Sequence, residues 1–259
     1  MAQQLWSNVA DAYARSFAGL CAGSLPVVLA DLPPGARLLD VGCGTGALCE
    51  EAIGRGARVS ACDVDADMVS LARARLGASV PVAVAGLPDL QHDDGVFDVV
   101  VANFVLNHVD DPAASAAELV RVAAPGGSLR TTIWSNQPTA QGQLFRAVME
   151  ASAAIDPQFP ALPEDKDFVR SVEGLGDLLL AAGCREVEGR FVTWDWRVLP
   201  DDFWAAPTGG VAGVGVARRA QTPDVQARMR AEFDRLRQPL MDGEHIVFPA
   251  SAVMVSGSV

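Results

Sequence analysis

The chain has 259 residues, half of them apolar and a fifth charged, with a formal net charge of −12 at pH 7. That acidic balance, with Lys166 as the single lysine, argues against a nucleic-acid partner, which calls for a basic face. Met1–Trp6 lacks the basic and apolar regions of a signal peptide, and no stretch reaches the roughly 18–20 apolar residues that span a bilayer, so the expected location is cytoplasmic and no membrane partner is expected.

Apolar positions at Leu5, Trp6, Val9, Ala12, Tyr13, Phe17 and Leu20 predict helix over 5–30, stopped by Asp31-Leu32-Pro33-Pro34-Gly35. Arg37–Val41 reads as a first strand and 46–54 as a first helix after it. Arg58–Asp63 is a second strand, followed by a helix at Ala66–Leu76. Val80–Ala85 and Phe97–Ala102 are the third and fourth strands. The fourth is a near-continuous apolar run, as expected of a strand buried on both faces. Pro112–Ala123 is a helix, and Pro125-Gly126-Gly127 turns into a fifth strand at Ser128–Trp134. Such regular alternation of strand and helix predicts a doubly wound α/β sheet.

After Trp134 the rhythm changes. A helix is expected at Gly142–Ile155, then a turn-prone stretch to Asp167, a helix at Val172–Ala182 and a strand at Arg190–Arg197. A glycine-rich segment, Thr208–Gly215, precedes an arginine-rich helix at Pro223–Arg237, and Ile246–Val255 is the last strand. The expected organisation is a single domain, 1–259, with cap insertions at about 135–168 and 199–243. Cys21, Cys43, Cys49, Cys62 and Cys184 form no CxxC pair and read as reduced thiols, so no metal site is expected.

The segment Leu38-Leu39-Asp40-Val41-Gly42-Cys43-Gly44-Thr45-Gly46 carries the strongest chemical signal. A strand ends in an acid, and alternate glycines then let the backbone turn sharply and approach a ligand. Asp40 would repel a pyrophosphate and suits a ligand bearing an ammonium group. Asp63 ends the second strand 21 residues after Gly42, where a carboxylate can accept both hydroxyls of a ribose.

These motifs, in this order, resemble the class I S-adenosylmethionine-dependent methyltransferases. The matching segments are LLDVGCGTG at 38–46, SACDVDADMVSLARAR at 60–75, GLPDL at 86–90, FDVVVANFVLNHVDDP at 97–112 and ELVRVAAPGGSLRTTIW at 118–134. The resemblance implies a Rossmann-like, seven-stranded, mostly parallel sheet with an antiparallel last strand and helical caps. It also implies S-adenosylmethionine as cofactor. Gly42, Cys43 and Gly44 would lie against its methionine portion, and Asp40 would meet its ammonium. Asp63 would take the ribose hydroxyls, and Val64 and Met68 would enclose the adenine. Gly86 and Leu87 would offer backbone to the adenine edge. Asn103 would line the methionine end, and Tyr13 would cover the ligand's carboxylate. Relatives often carry an Asp shortly before the Leu-Pro pair; Val82-Ala83-Val84-Ala85 has none, leaving backbone or water to meet the adenine amino group.

Methyl transfer demands mainly alignment, and a base only where the acceptor loses a proton. His108 and His245 are the candidates for that role, because imidazole titrates near neutral pH. Phe145, Met149, Phe159, Phe168, Trp194 and Trp196, with Phe203, Trp204, Met229 and Phe233, are apolar residues in or beside the caps. They either form an acceptor pocket or pack the cap onto the sheet. Arg218, Arg219 and the 228–237 arginines read as a solvated helix face with Asp224, Glu232 and Asp234.

The expected function is methyl transfer to O, N or C of a small, partly apolar molecule, as in natural-product biosynthesis. The alternatives are a quinone or sterol methyltransferase, a sulfonium-binding protein without methyl transfer, or an NAD-dependent oxidoreductase. A monomer or homodimer is expected.

Overall fold

A computed structural model describes Trp6, residues 8–157 and residues 162–259; Leu5 and Phe159 lie outside the described residues. Strands β1 (Arg37–Val41), β2 (Arg58–Asp63), β3 (Val82–Val84), β4 (Phe97–Asn103) and β5 (Ala123–Ile133) pair in parallel. β6 (Arg185–Val198), β7 (Met241–Asp242) and β8 (His245–Ser258) complete the sheet. The order is β3-β2-β1-β4-β5-β8-β6, with β8 antiparallel to both neighbours. These are the seven expected strands. The two-residue β7, which pairs with the start of β8, makes an eighth.

Strand alternation sends neighbouring side chains to opposite faces. Leu38, Val59 and Val101 join one core with α3 (Leu25–Val28), α4 (Ala47–Gly54) and α5 (Ala66–Leu76). Leu39, Val100 and Leu129 join the other with α6 (Pro112–Val122) and α8 (Val172–Ala181). Burial on both faces is why the apolar stretches Leu38-Leu39 of β1 and Val99–Ala102 of β4 do not alternate with polar residues. Side-chain caps fix the helix starts. Asp65 accepts from the Asp67 and Met68 N–H groups at 3.0 Å each, and Asp111 from Ala114 N–H at 3.0 Å.

The amino-terminal helix is broken rather than continuous, into α1 (Ala10–Arg15), α2 (Phe17–Ala22) and α3. The break falls at Ser16, whose ψ of −95° leaves the helical region while its hydroxyl bonds back to Ala12 O.

Between β5 and α8 lies α7 (Ala140–Ala151), shorter at its end than expected. β6 and β8, 14 residues each, run past the carboxyl edge of the parallel strands as a two-stranded arm. Between them lie α9 (Pro200–Gly209), α10 (Ala212–Arg219) and α11 (Pro223–Leu236). The glycine-rich segment is thus mostly helical. Gly210 adopts φ +85° to end α9, and a Cβ on Gly215 would come 2.0 Å from the Gly210 backbone. The glycines permit a tight helix–helix corner rather than a loop.

The cap has its own core. Leu144, Phe145 and Val148 of α7 meet Trp196, Phe203, Trp204, Met229, Phe233 and Phe248. Phe233 stacks on Trp204 at 4.7 Å and on Phe203 at 5.4 Å between centroids. Most of the apolar residues named for the cap therefore pack it together. Arg230 pairs with Asp234 and Asp201, and Arg235 with Glu232.

Candidate active site

The strand order reverses between β1 and β4, and in open α/β sheets ligands bind at the carboxyl edge beside such a reversal. Asp40 is aligned with Ala61 and Val101, one residue from the end of β1, while Asp63 and Asn103 end β2 and β4. The glycine turn is tied down at this edge by Gly42 and Cys43 N–H groups donating to Cys62 O at 2.8 and 3.0 Å.

Asp63 is 9% exposed and holds the turn from the other side. Its Oδ2 accepts from Gly44 N–H at 2.8 Å and its Oδ1 from Asp65 N–H at 3.0 Å. Burial raises its pKa, and the backbone donors pull the other way. Asp40 is 1% exposed, and its Oδ2 accepts from the Cys49 thiol at 3.1 Å. Burial pushes its pKa up to about 7, with the Asp63 charge adding to the shift. Two buried carboxylates, each costly to ionise unpaired, make an edge suited to positive charge and to hydroxyl donors.

Tyr13 leans over this turn: a Cβ on Gly44 would lie 3.4 Å from its ring. Its hydroxyl bonds the Cys21 thiol, and burial raises the pKa of both, that of Cys21 to about 12. Trp6 meets the edge of Tyr13 at 5.8 Å and of His108 at 4.9 Å, linking them. His108 sits in the 3-10 turn after β4, where burial and then the Arg170 charge lower its pKa to about 4. The imidazole is therefore neutral at physiological pH.

Asn103 Oδ1 accepts from Thr132 Oγ1 at 2.6 Å and Ser24 Oγ at 3.0 Å, which fixes its amide. Val64 stands partly exposed against Gly86, where a Cβ would come 2.0 Å from Val64 Cγ1. Leu87 packs beside the second core. Met68 is 3% exposed, in a cluster shared with Val9, Ala10, Ala206 and Val211. Cys43 is buried in the first core. The structure thus gathers Tyr13, Asp40, Gly42, Cys43, Gly44, Asp63, Val64, Met68, Gly86, Leu87 and Asn103 along one sheet edge.

His245 is not part of this group. It opens β8 and pairs with Asp242 at the tip of the arm. Val253, eight residues on, is the residue that pairs with Ile133 at the end of β5. At strand rise, His245 stands about 27 Å beyond the sheet edge.

Several contributors carried no sequence signal of their own. Val105 packs on Gly42, where a Cβ would come 2.5 Å from its Cγ2. Cys49, one turn into α4, meets Asp40 through a spacing of nine residues that an acid-to-helix register could have suggested. α1 ties the site to the cap through the Arg15–Asp202 pair at 2.8 Å. Beneath the cap, Phe17, Phe145, Phe203, Pro207 and Val214 wall a cavity of about 190 Å³.

The fold is one shared with solved methyltransferases. Residues 39–131 match the family model described as a methyltransferase domain. A ubiquinone biosynthesis O-methyltransferase of Xanthomonas oryzae pv. oryzae is 35% identical over 159 residues, 60% of this chain and 62% of that protein's length. The chain thus aligns with under two thirds of the curated relative. Among solved structures, an S-adenosylmethionine-dependent methyltransferase from Thermotoga maritima superposes with a TM-score of 0.59 at 17% identity, over 98% of each chain. The [4+2]-cyclase SpnF superposes with a TM-score of 0.52 at 19% identity, over 91% of this chain and 80% of that one. Residues 39–131 are thus matched as a methyltransferase domain, on a fold that the whole chain shares with solved S-adenosylmethionine-dependent methyltransferases.

Among the described residues, no helix is long and apolar enough to cross a membrane.

Proposed function

We propose that this protein transfers a methyl group from S-adenosylmethionine to a small, partly apolar acceptor held beneath the cap. The observation that carries this reading is the pair of buried carboxylates, Asp40 and Asp63, flanking the glycine turn where the strand order reverses. Asp63 accepts the ribose hydroxyls, since each of its oxygens has a lone-pair site left beyond its backbone donor. Asp40 takes the ligand's ammonium, and that charge stabilises its ionised form. Val64 and Met68 enclose the adenine, with Gly86 and Leu87 at its edge. Gly42, Cys43 and Gly44 leave room for the methionine chain, Asn103 lines its far side, and Tyr13 covers its carboxylate.

When bound, the cofactor supplies a methyl group already activated by its sulfonium. The protein's own part is to align an acceptor and keep water out. Trp6, Tyr13 and the α1–α9 contact close the site on its open side. His108, neutral and joined to this cover through Trp6, receives the acceptor's proton where one is released. Distance leaves His245 without a role.

Oxygen is the favoured acceptor atom, on the strength of the O-methyltransferase relatives. A second reading, in which the ligand is bound without methyl transfer, is favoured by the likeness to a cyclase, since one fold hosts several chemistries. Release of S-adenosylhomocysteine dependent on an acceptor separates the two. Binding without release in the presence of a methylatable acceptor sinks the first. A nicotinamide titration without binding removes the oxidoreductase alternative.

A further inference from the structure

We infer that Cys49 is a positioning residue for the cofactor: its thiol holds one oxygen of Asp40 and leaves the other to meet the ligand's ammonium. This rests on the reading above that Asp40 takes that ammonium. Gly46, at φ +83°, ends the glycine turn and starts α4 at once, so Cys49 falls in the first turn of that helix. Its Sγ lies 3.1 Å from Asp40 Oδ2, with Cys49 0% and Asp40 1% exposed.

The two acids of the site are held in different ways. Asp63 accepts two backbone N–H groups, from Gly44 and Asp65. Among the described residues, the Asp40 carboxylate accepts from no backbone N–H and from no side chain but the Cys49 thiol. A buried carboxylate is costly to ionise, and a hydrogen bond to its charged form offsets part of that cost. With Oδ2 turned to α4, Oδ1 is the oxygen left for a ligand.

The other groups facing Asp40 do not share this task. Burial keeps the Tyr13 hydroxyl of α1, the Cys43 thiol of the glycine turn and the Cys62 thiol of β2 protonated, with Cys62 pushed up to about 12. Cys49 keeps its own proton, because burial and then the Asp40 charge push its thiol up, so it remains a donor across neutral pH. Asp63 is the remaining charge, and it disfavours ionisation of Asp40. Among these neighbours, Cys49 is the one that favours the ionised Asp40 a cation calls for.

The test is calorimetric binding of S-adenosylhomocysteine to the full chain from about pH 6 to about pH 8.5. It compares the wild type with Cys49→Ala, Cys49→Ser and Asp40→Asn, with chemical denaturation of each alongside. In Cys49→Ala the affinity is expected to fall about threefold to tenfold at the acid end, the worth of one buried hydrogen bond. At the alkaline end, where Asp40 ionises with or without its donor, the loss is expected to stay under about twofold. Cys49→Ser, which keeps a hydroxyl donor, is expected to bring back the wild-type pH profile. A cysteine that only packs the core would lower stability and weaken binding by one factor at every pH, and serine would not rescue it. No loss in Cys49→Ala, a loss independent of pH, or a Cys49→Ser profile that matches Cys49→Ala would each overturn the inference. Asp40→Asn is expected to bind about tenfold or more weakly. Wild-type affinity in Asp40→Asn would refute the ammonium reading and the inference with it. Weakened binding there, beside an unshifted Cys49→Ala profile, overturns the inference alone.

Discussion

Asp63→Ala tests the site at the point where fold and cofactor meet. In the structure this carboxylate accepts two backbone N–H groups, from Gly44 at 2.8 Å and Asp65 at 3.0 Å, and retains a lone-pair site on each oxygen. A vicinal diol fills those two sites. Hydrogen bonds to a charged group contribute about 1.5–3 kcal/mol, so losing the equivalent of one weakens S-adenosylhomocysteine binding roughly 10- to 150-fold. The same change leaves two backbone donors to water, and the melting temperature falls by about 2–4 °C for each kcal/mol lost. Asp63→Asn, which keeps one acceptor oxygen, falls between the wild type and Asp63→Ala. Isothermal titration of the folded variants reads the affinity directly. An affinity within twofold of wild type in Asp63→Ala would refute the assignment of the ribose to this residue.

Asp40 makes a pH prediction. Its carboxyl ionises near 7 in the fold against an ordinary 3.8, so the fold favours the protonated form. That contribution to stability is complete below the ordinary value and is lost as pH rises through about 7. A cationic ligand reverses the preference, so binding at pH 6 expels a proton, seen as a dependence of the binding heat on buffer ionisation. Asp40→Asn abolishes that dependence, and its persistence in the variant would show another source. For His108, held near 4, the acid limb of the rate profile falls near that value, and His108→Ala loses rate without losing cofactor affinity. A limb near the ordinary histidine value would exclude His108 as the base. Gly86→Ala drives a methyl group into Val64, weakening cofactor binding, and the added change Val64→Ala restores part of the loss. An unchanged affinity in Gly86→Ala would mean that Val64 yields freely. Phe233→Ala, removing a ring that is 0% exposed, costs about 3–5 kcal/mol in chemical denaturation, mostly from the cap core.

The parallel part of the sheet was legible because its strands are buried on both faces. Leu38, Leu39 and Val99–Val101 are buried apolar runs within these strands, with Gly42 after β1 and Asp63 closing β2. The arm was legible only in its middle. Glu186, Glu188 and Gly189 at one end of β6 face solvent or bulge away from β8, and such residues carry no strand signature. The helical corner at Gly209–Gly215 was hidden for the opposite reason: glycines that read as a loop are there for close packing. In the site, the residues contributed by consecutive strand ends were legible because the motif keeps them at short, fixed spacings. Trp6 against His108 and Val105 on Gly42 were not, since each pair joins residues far apart in the chain that meet only once the sheet is assembled. His245 misled for a related reason. Chain order places it between cap and sheet, whereas the length of β8 carries it to the tip of the arm.

The central claim is that the edge built by Asp40, the glycine turn and Asp63 presents a methyl donor to an acceptor beneath the cap. Incubating the protein with S-adenosylmethionine deuterated in its methyl group and a panel of single-ring phenols tests this most directly, with mass spectrometry following acceptor and cofactor together. The expected result is a deuterated methyl ether and S-adenosylhomocysteine in equal amounts, both lost in Asp63→Ala. Cofactor recovered intact after saturating the protein, with no label on any phenol, would contradict it.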